Sequence, residues 1–161
     1  DLSPKIKDQI QPLICRNLRF QNRKLAPDIF AQVEPLDHPM ARYRLAQRHE
    51  PTSRGNLYVT TYTHHFEGQT MEESAPLLRR LFDHVSQDKY KLAVAYQNDG
   101  DLVFWDNTAV LHRATPGGKY DGHDIRDMRR TTVRDGGQFG WGENERGTTW
   151  QAGLSVAPTK G

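Results

Sequence analysis

The stretch Arg126-Asp127-Met128-Arg129-Arg130-Thr131-Thr132-Val133 holds the two side chains best suited, by type and spacing, to grip a small anion. On an extended strand, side chains alternate faces. Arg126, Met128, Arg130 and Thr132 therefore share one face, and Asp127, Arg129, Thr131 and Val133 share the other. At about 3.3 Å per residue, Arg126 and Arg130 stand roughly 13 Å apart, which suits two separate anions or one long dianion. The planar guanidinium fork favours bidentate carboxylate contacts. On pattern alone, a basic strand edge that uses charge to block edge-to-edge pairing is the commoner meaning of such a row. His112 lies at the end of the largely apolar run 101–113. A single histidine in a buried strand is more often a hydrogen-bonded core residue than a ligand. A metal there would also need partners, because one imidazole does not hold iron or zinc.

The other candidates carry weaker signals. His64 and His65 are neighbours on an extended chain, so they are expected to point to opposite faces and not to chelate one metal together. His38, His49, His84 and His123 show no ligand spacing. No HxxxH, HExxH, CxxC, phosphate-binding loop, GxGxxG or GxSxG occurs. Cys15 lacks a catalytic signature around it and reads as a small buried apolar residue.

Elements that could position these residues follow from periodicity. Residues 3–20 predict a helix, with Ser3 as cap, Pro4 at the first position and Ile6, Ile10, Leu13, Ile14 and Leu18 on one stripe. Pro12 inside it predicts a kink or an early break. The stretch 21–37 reads as loop. Ala41, Tyr43 and Leu45 alternate with Arg42, Arg44 and Ala46 as in a strand, and a turn over 50–55 leads to a second strand at 56–60. Residues 71–86 predict a helix with the capping box Thr70/Glu73 and an apolar stripe of Met71, Leu78, Leu81, Phe82 and Val85. Pro76 suggests that its regular part starts at Ser74. Strands are then expected at 91–96, 101–105, 109–113 and 126–133, joined by turns at 98–100, 106–107 and the glycine-containing 116–122. Short strands at this density suggest an antiparallel barrel or jelly roll. Residues 136–161 read as an irregular arm.

Composition removes several classes. The 161 residues contain one cysteine and carry a net charge of +2. One cysteine excludes a disulfide scaffold and a zinc ribbon. The charge is too mild and too scattered to argue for nucleic acid. The apolar stretches run to a handful of residues, far short of the 20 or so needed to cross a membrane, and 1–10 has no signal-peptide core. A cytoplasmic protein is the expectation. Counting Gly and omitting Tyr, the apolar share is roughly 39%, against about 45–50% in ordinary domains. Either the interior is partly polar or some of the core comes from elsewhere.

The run from Gly100 through Trp105-Asp106-Asn107 to His112-Arg113, followed by Arg126 and Arg130, resembles the C-terminal half of the taurine/2,4-dichlorophenoxyacetate dioxygenase family. His38-Pro39 followed by Gly55–Val59 resembles that family's His-Pro segment and the strand after it. His65-Phe66-Glu67-Gly68 resembles the next segment of the phenoxyacetate branch, and the helix over 72–84 falls where the family has one. The resemblance covers roughly residues 1–135. It implies a fold that is mainly β with flanking helices: a double-stranded β-helix, the cupin-like jelly roll, present here in incomplete form. It also implies Fe(II) as cofactor and 2-oxoglutarate as cosubstrate. By position, His112 resembles an iron-ligating histidine of the family's two-histidine, one-carboxylate triad. Arg126 resembles the arginine that binds the far carboxylate of 2-oxoglutarate. Arg130 resembles the second arginine, which contacts an anionic substrate, and His65 is expected to line the pocket.

Two departures bear on this expectation. The interval from His112 to Arg126 is 14 residues, longer than the family's pattern, and a register using Arg129 would face the other way. The family's His-x-Asp/Glu motif, which supplies the other two iron ligands, belongs N-terminal to the His38-Pro39 segment, and neither His-x-Asp nor His-x-Glu stands there. The implied whole is an oxygenase that cleaves 2-oxoglutarate to succinate and carbon dioxide while hydroxylating a small anion. Residues 1–135 are expected to be the C-terminal part of its domain, inactive alone. The competing expectation is a non-catalytic jelly-roll module that holds an anion through Arg126 and Arg130. Neither involves nucleic acid or membrane, and assembly into a homo-oligomer stays open.

Overall fold

The computed structural model describes residues 1–18, 39–115, 122–123, 128–133 and 135–145. Helix α1 spans Pro4–Ile10. Pro4 occupies its first turn, and the Ser3 carbonyl accepts from Ile6 N–H and Lys7 N–H at 3.0 Å, while the Ser3 hydroxyl makes no cap bond. The helix stops well short of residue 20. Pro12 lacks the N–H that another turn needs, and the chain reopens as strand β1, Ile14–Asn17. Apolar residues at helical spacing on both sides of a proline cannot distinguish one long helix from a helix and a short strand. The expected loop 21–37 lies outside the described residues.

Strand β1 is the middle of a three-stranded antiparallel sheet between β2 (Ala41–Arg44) and β5 (Thr63–Phe66). Tyr43, Cys15 and Phe66 stand in register across it, as do Arg42, Arg16 and His65. Directly opposed residues share a face, so the two rows lie on opposite faces. Between β2 and a separate hairpin, β3 (Ala46–Arg48) with β4 (Gly55–Leu57), the chain bends at Leu45. Leu45 is fully buried; its N–H donates to the Leu13 carbonyl and its carbonyl accepts from Tyr58 N–H.

Helix α2, Met71–Val85, covers β5. Both halves of the capping box form: Thr70 Oγ1 accepts from Glu73 N–H at 3.2 Å, and Glu73 Oε2 accepts from Thr70 N–H at 2.7 Å. The helix therefore begins at Met71 rather than Ser74. Pro76 is tolerated on the exposed side, where the unbonded carbonyl one turn earlier can meet water. Met71 is exposed, outside the apolar stripe, while Leu78 and Leu81 are buried and Phe82 and Val85 pack beside them. The core comprises Ile6, Ile10, Cys15, Leu45, Val59, Phe66, Leu78 and Leu81.

The expected strands at 91–96, 101–105 and 109–113 do not form ladders, nor does the described part of 126–133. A strand needs a partner's backbone, and none is offered to these segments among the described residues. Leu92, Val94, Tyr96, Leu102 and Phe104 consequently stay exposed. Of the expected C-terminal arm, the turn-rich residues 141–145 dock on the free edge of β2. There the Asn144 side chain accepts from Arg42 N–H at 2.8 Å and donates to the Arg42 carbonyl at 2.9 Å, as a neighbouring strand would.

Candidate functional site

His112 follows a turn built by Asp106. Asp106 Oδ1 accepts from Thr108 N–H at 2.8 Å and from the Thr108 hydroxyl at 2.6 Å, and its carbonyl takes the N–H groups of Ala109 and Val110. Its carboxyl is pulled down to about 2, chiefly by the Thr108 hydroxyl, with further contributions from Thr108 N–H and His49. The Trp105 ring, just before the turn, lies 4.9 Å from that of His112. Trp105 Nε1–H donates to Asn107 Oδ1 at 2.8 Å, which orients the indole. Contrary to the buried-strand expectation, His112 is exposed, because the segment has no sheet to enter. Partial desolvation, then the Arg130 charge, push the His112 imidazole below its ordinary value. The neutral ring is the form that ligates a metal. Arg130 lies in the described segment 128–133, which forms no ladder. Arg126 lies outside the described residues.

His65 sits elsewhere, on β5. Between Arg16 and Asn17 the β1–β5 register slips: Arg16 opposes His65 and Asn17 opposes Thr63, leaving His64 as the extra residue of a bulge. A bulge re-aims a side chain. Here it overturns the expectation that the two histidines diverge: their Nδ1 atoms are 2.8 Å apart and their rings stand edge to face. One ring must donate and the other accept, so at least one is neutral. Burial, followed by His64 and Arg16, lowers the His65 value.

The chain does contain one His-x-Glu, His65-Phe66-Glu67, C-terminal to the His-Pro segment, two residues whose alternation points them the same way. Glu67 is not free to ligate. Its Oε2 accepts from Arg42 Nη2 at 2.9 Å, and its Oε1 lies 3.9 Å from Arg16 Nη1. The Arg42 hydrogen bond, above all, holds the Glu67 carboxyl below the usual range. Among the described residues, no three His, Cys, Asp or Glu side chains gather to hold a metal ion. His112 by itself does not fit a resident iron, which needs further ligands.

A short sheet backed by helices is thus followed by a Trp-Asp-Asn turn that leads to His112. The chain belongs to the taurine catabolism dioxygenase TauD, TfdA family, whose pattern matches residues 1–132. It is 30% identical over 134 residues to the alpha-ketoglutarate-dependent 2,4-dichlorophenoxyacetate dioxygenase of Burkholderia sp. (strain RASC), covering 83% of this chain and 44% of that one. To the protein of the same name from Cupriavidus pinatubonensis it is 29% identical over 131 residues, covering 81% and 44%. The chain therefore spans less than half the length of these relatives. A crystal structure of AAD-2 in complex with Mn(II) and N-oxalylglycine is similar at TM-score 0.46 and 22% identity, over 55% of this chain and 31% of that one. Family members named in this way use Fe(II) and 2-oxoglutarate. No helix among the described residues is long and apolar enough to cross a membrane.

Proposed function

We propose that this chain is the C-terminal part, residues 1–135, of a double-stranded β-helix domain in a 2-oxoglutarate-dependent dioxygenase that hydroxylates a small anionic molecule. The observation that carries the reading is the family match over residues 1–132, a span that includes His112, Arg126 and Arg130. In this assignment His112 is one of the ligands of the iron. Arg126 binds the far carboxylate of 2-oxoglutarate through its guanidinium fork. Arg130 orients the anionic group of the substrate, with His65 at the pocket wall. Desolvation first, and then the Arg130 charge, drive His112 toward the neutral form that ligates a metal. One imidazole does not retain iron, so the remaining ligands are assigned to polypeptide upstream of Asp1, and no step of turnover is assigned to the 161 residues alone. Self-association is not required by this reading.

The test is 2-oxoglutarate-dependent succinate release with added Fe(II), comparing the 161-residue chain with one extended upstream. Turnover by the extended chain alone is expected; turnover by the short chain would overturn the division of ligands. A non-catalytic anion-binding module would instead bind 2-oxoglutarate equally with and without Fe(II), in the extended chain as in the short one.

A further inference from the structure

We propose that His49 is a positioning residue for His112, acting by clamping the Asp106–Thr108 turn to the β3–β4 hairpin. His49 follows β3, and its side chain is only 9% exposed. Both ring nitrogens are engaged: Nδ1 meets Thr52 Oγ1 at 2.7 Å within the hairpin turn, and Nε2 meets Asp106 Oδ2 at 3.0 Å across 57 residues of sequence. Asp106 is ionised and can only accept, so Nε2 carries the proton and donates. The Thr52 hydroxyl can donate to Nδ1 or accept from it, so it fixes the ring in either protonation state. A second tie runs from β4, where Asn56 Nδ2 donates to the Thr108 carbonyl at 2.8 Å.

These contacts form one relay. Thr52 sets the His49 ring, His49 sets Asp106, and the Asp106 turn carries Asn107. Asn107 then orients the Trp105 indole, and that indole packs on His112. Since residues 91–115 have no ladder to hold them, hydrogen bonds must fix where His112 stands. The inference rests on the proposed function only in that His112 is the group worth positioning; the contacts themselves need no metal.

The test uses the whole 161-residue chain without metal. His49→Phe keeps a ring and removes both bonds, while His49→Gln keeps an N–H donor. Amide hydrogen exchange at Thr108, Ala109 and Val110 is read together with the NMR signals of the His112 ring and the Trp105 indole. His49→Phe should speed exchange at these three amides about tenfold, the scale of one lost hydrogen bond to a charged group, and shift both ring signals. Amides of β1 and α2 should not change, and His49→Gln should recover most of the effect. Unchanged signals at 105–112, a uniform rise that includes α2, or a Gln variant no better than Phe would each overturn the proposal. Should His49→Phe fail to fold, Thr52→Val must reproduce the local pattern. Because the readout is metal-free, absence of turnover in the extended chain would refute the enzymatic reading without altering this result.

Discussion

Replacing Ser74 by Ala removes one oxygen and should weaken the whole body around β5. That strand is the edge of its sheet, in the order β2-β1-β5. Glu67 N–H turns inward to the Ile14 carbonyl at 2.8 Å, so Phe66 N–H, one residue earlier, points away from β1. Phe66 is fully buried, and water cannot serve that N–H. The Ser74 hydroxyl serves it instead, at 2.9 Å from α2, while donating to the Thr70 carbonyl at 2.8 Å. In the Ala variant the Thr70 carbonyl keeps the Ser74 backbone N–H, so that side of the loss is small. The orphaned Phe66 N–H costs about 1–3 kcal/mol. The better helix propensity of Ala returns up to about 0.5 kcal/mol. A net loss of about 1.5 kcal/mol corresponds to roughly 6–12 °C in Tm for a body of this size. Urea and thermal unfolding followed by circular dichroism, with hydrogen exchange at Phe66, read it out. Ser74→Thr should keep most of the stability. A loss under about 0.5 kcal/mol, or a Phe66 amide still protected in Ser74→Ala, would show that the hydroxyl does not carry the strand edge.

Three further outcomes follow. Leu81→Ala empties the centre of the core, where Leu81 is fully buried, and should cost about 2–5 kcal/mol in urea unfolding. Burial pushes the Cys15 thiol up to about 12, so it should resist a thiol reagent at pH 8 in the folded chain and react on unfolding; prompt labelling of folded protein would contradict its placement. Asp106 lies below its ordinary 3.8, at about 2. A depressed carboxyl stabilises the fold above its unfolded value and loses that contribution as pH falls through the folded one. The advantage of the parent over Asp106→Asn, read as a urea midpoint, should therefore be complete at pH 7, shrink below about pH 4 and vanish near pH 2.

What the sequence made legible was local. The capping box of α2 and its Leu78/Leu81 face can be read from residue spacing because a helix satisfies its own backbone. Pro76 and the Thr70 cap point to different starts, and the cap decides in favour of Met71. Strand β1 was hidden in an apolar stripe that fits two structures, and only its place between β2 and β5 decides which one forms. The meeting of His64 and His65 depends on a bulge opposite Arg16 and Asn17, a register fact that no stretch around residue 64 contains. His49 shows no ligand spacing because its partner is 57 residues away. The sequence signal available was a histidine beside a Thr/Ser turn, which is common. The roles of His112 and Arg130 come from the family motif rather than from strand geometry, and the strand that would place Arg130 does not form among the described residues.

The low apolar share also has a physical location. Every fully buried apolar side chain in the described residues comes from positions 6–81. Leu92, Val94, Tyr96, Leu102 and Phe104 are between 51% and 87% exposed, so these five apolar side chains beyond α2 add nothing to the core. Burying five such groups would contribute on the order of 10 kcal/mol. The two cross-segment bonds, His49–Asp106 and Asn56–Thr108, are exposed polar contacts and contribute far less than that. The segment that carries His112 is thus held to the sheet-and-helix body by polar ties in place of a core. A region with few buried contacts opens at far lower free energy than the elements behind it. Placing His112 reproducibly therefore depends on those ties for as long as the apolar face stays uncovered. Covering that face would relieve them of the task.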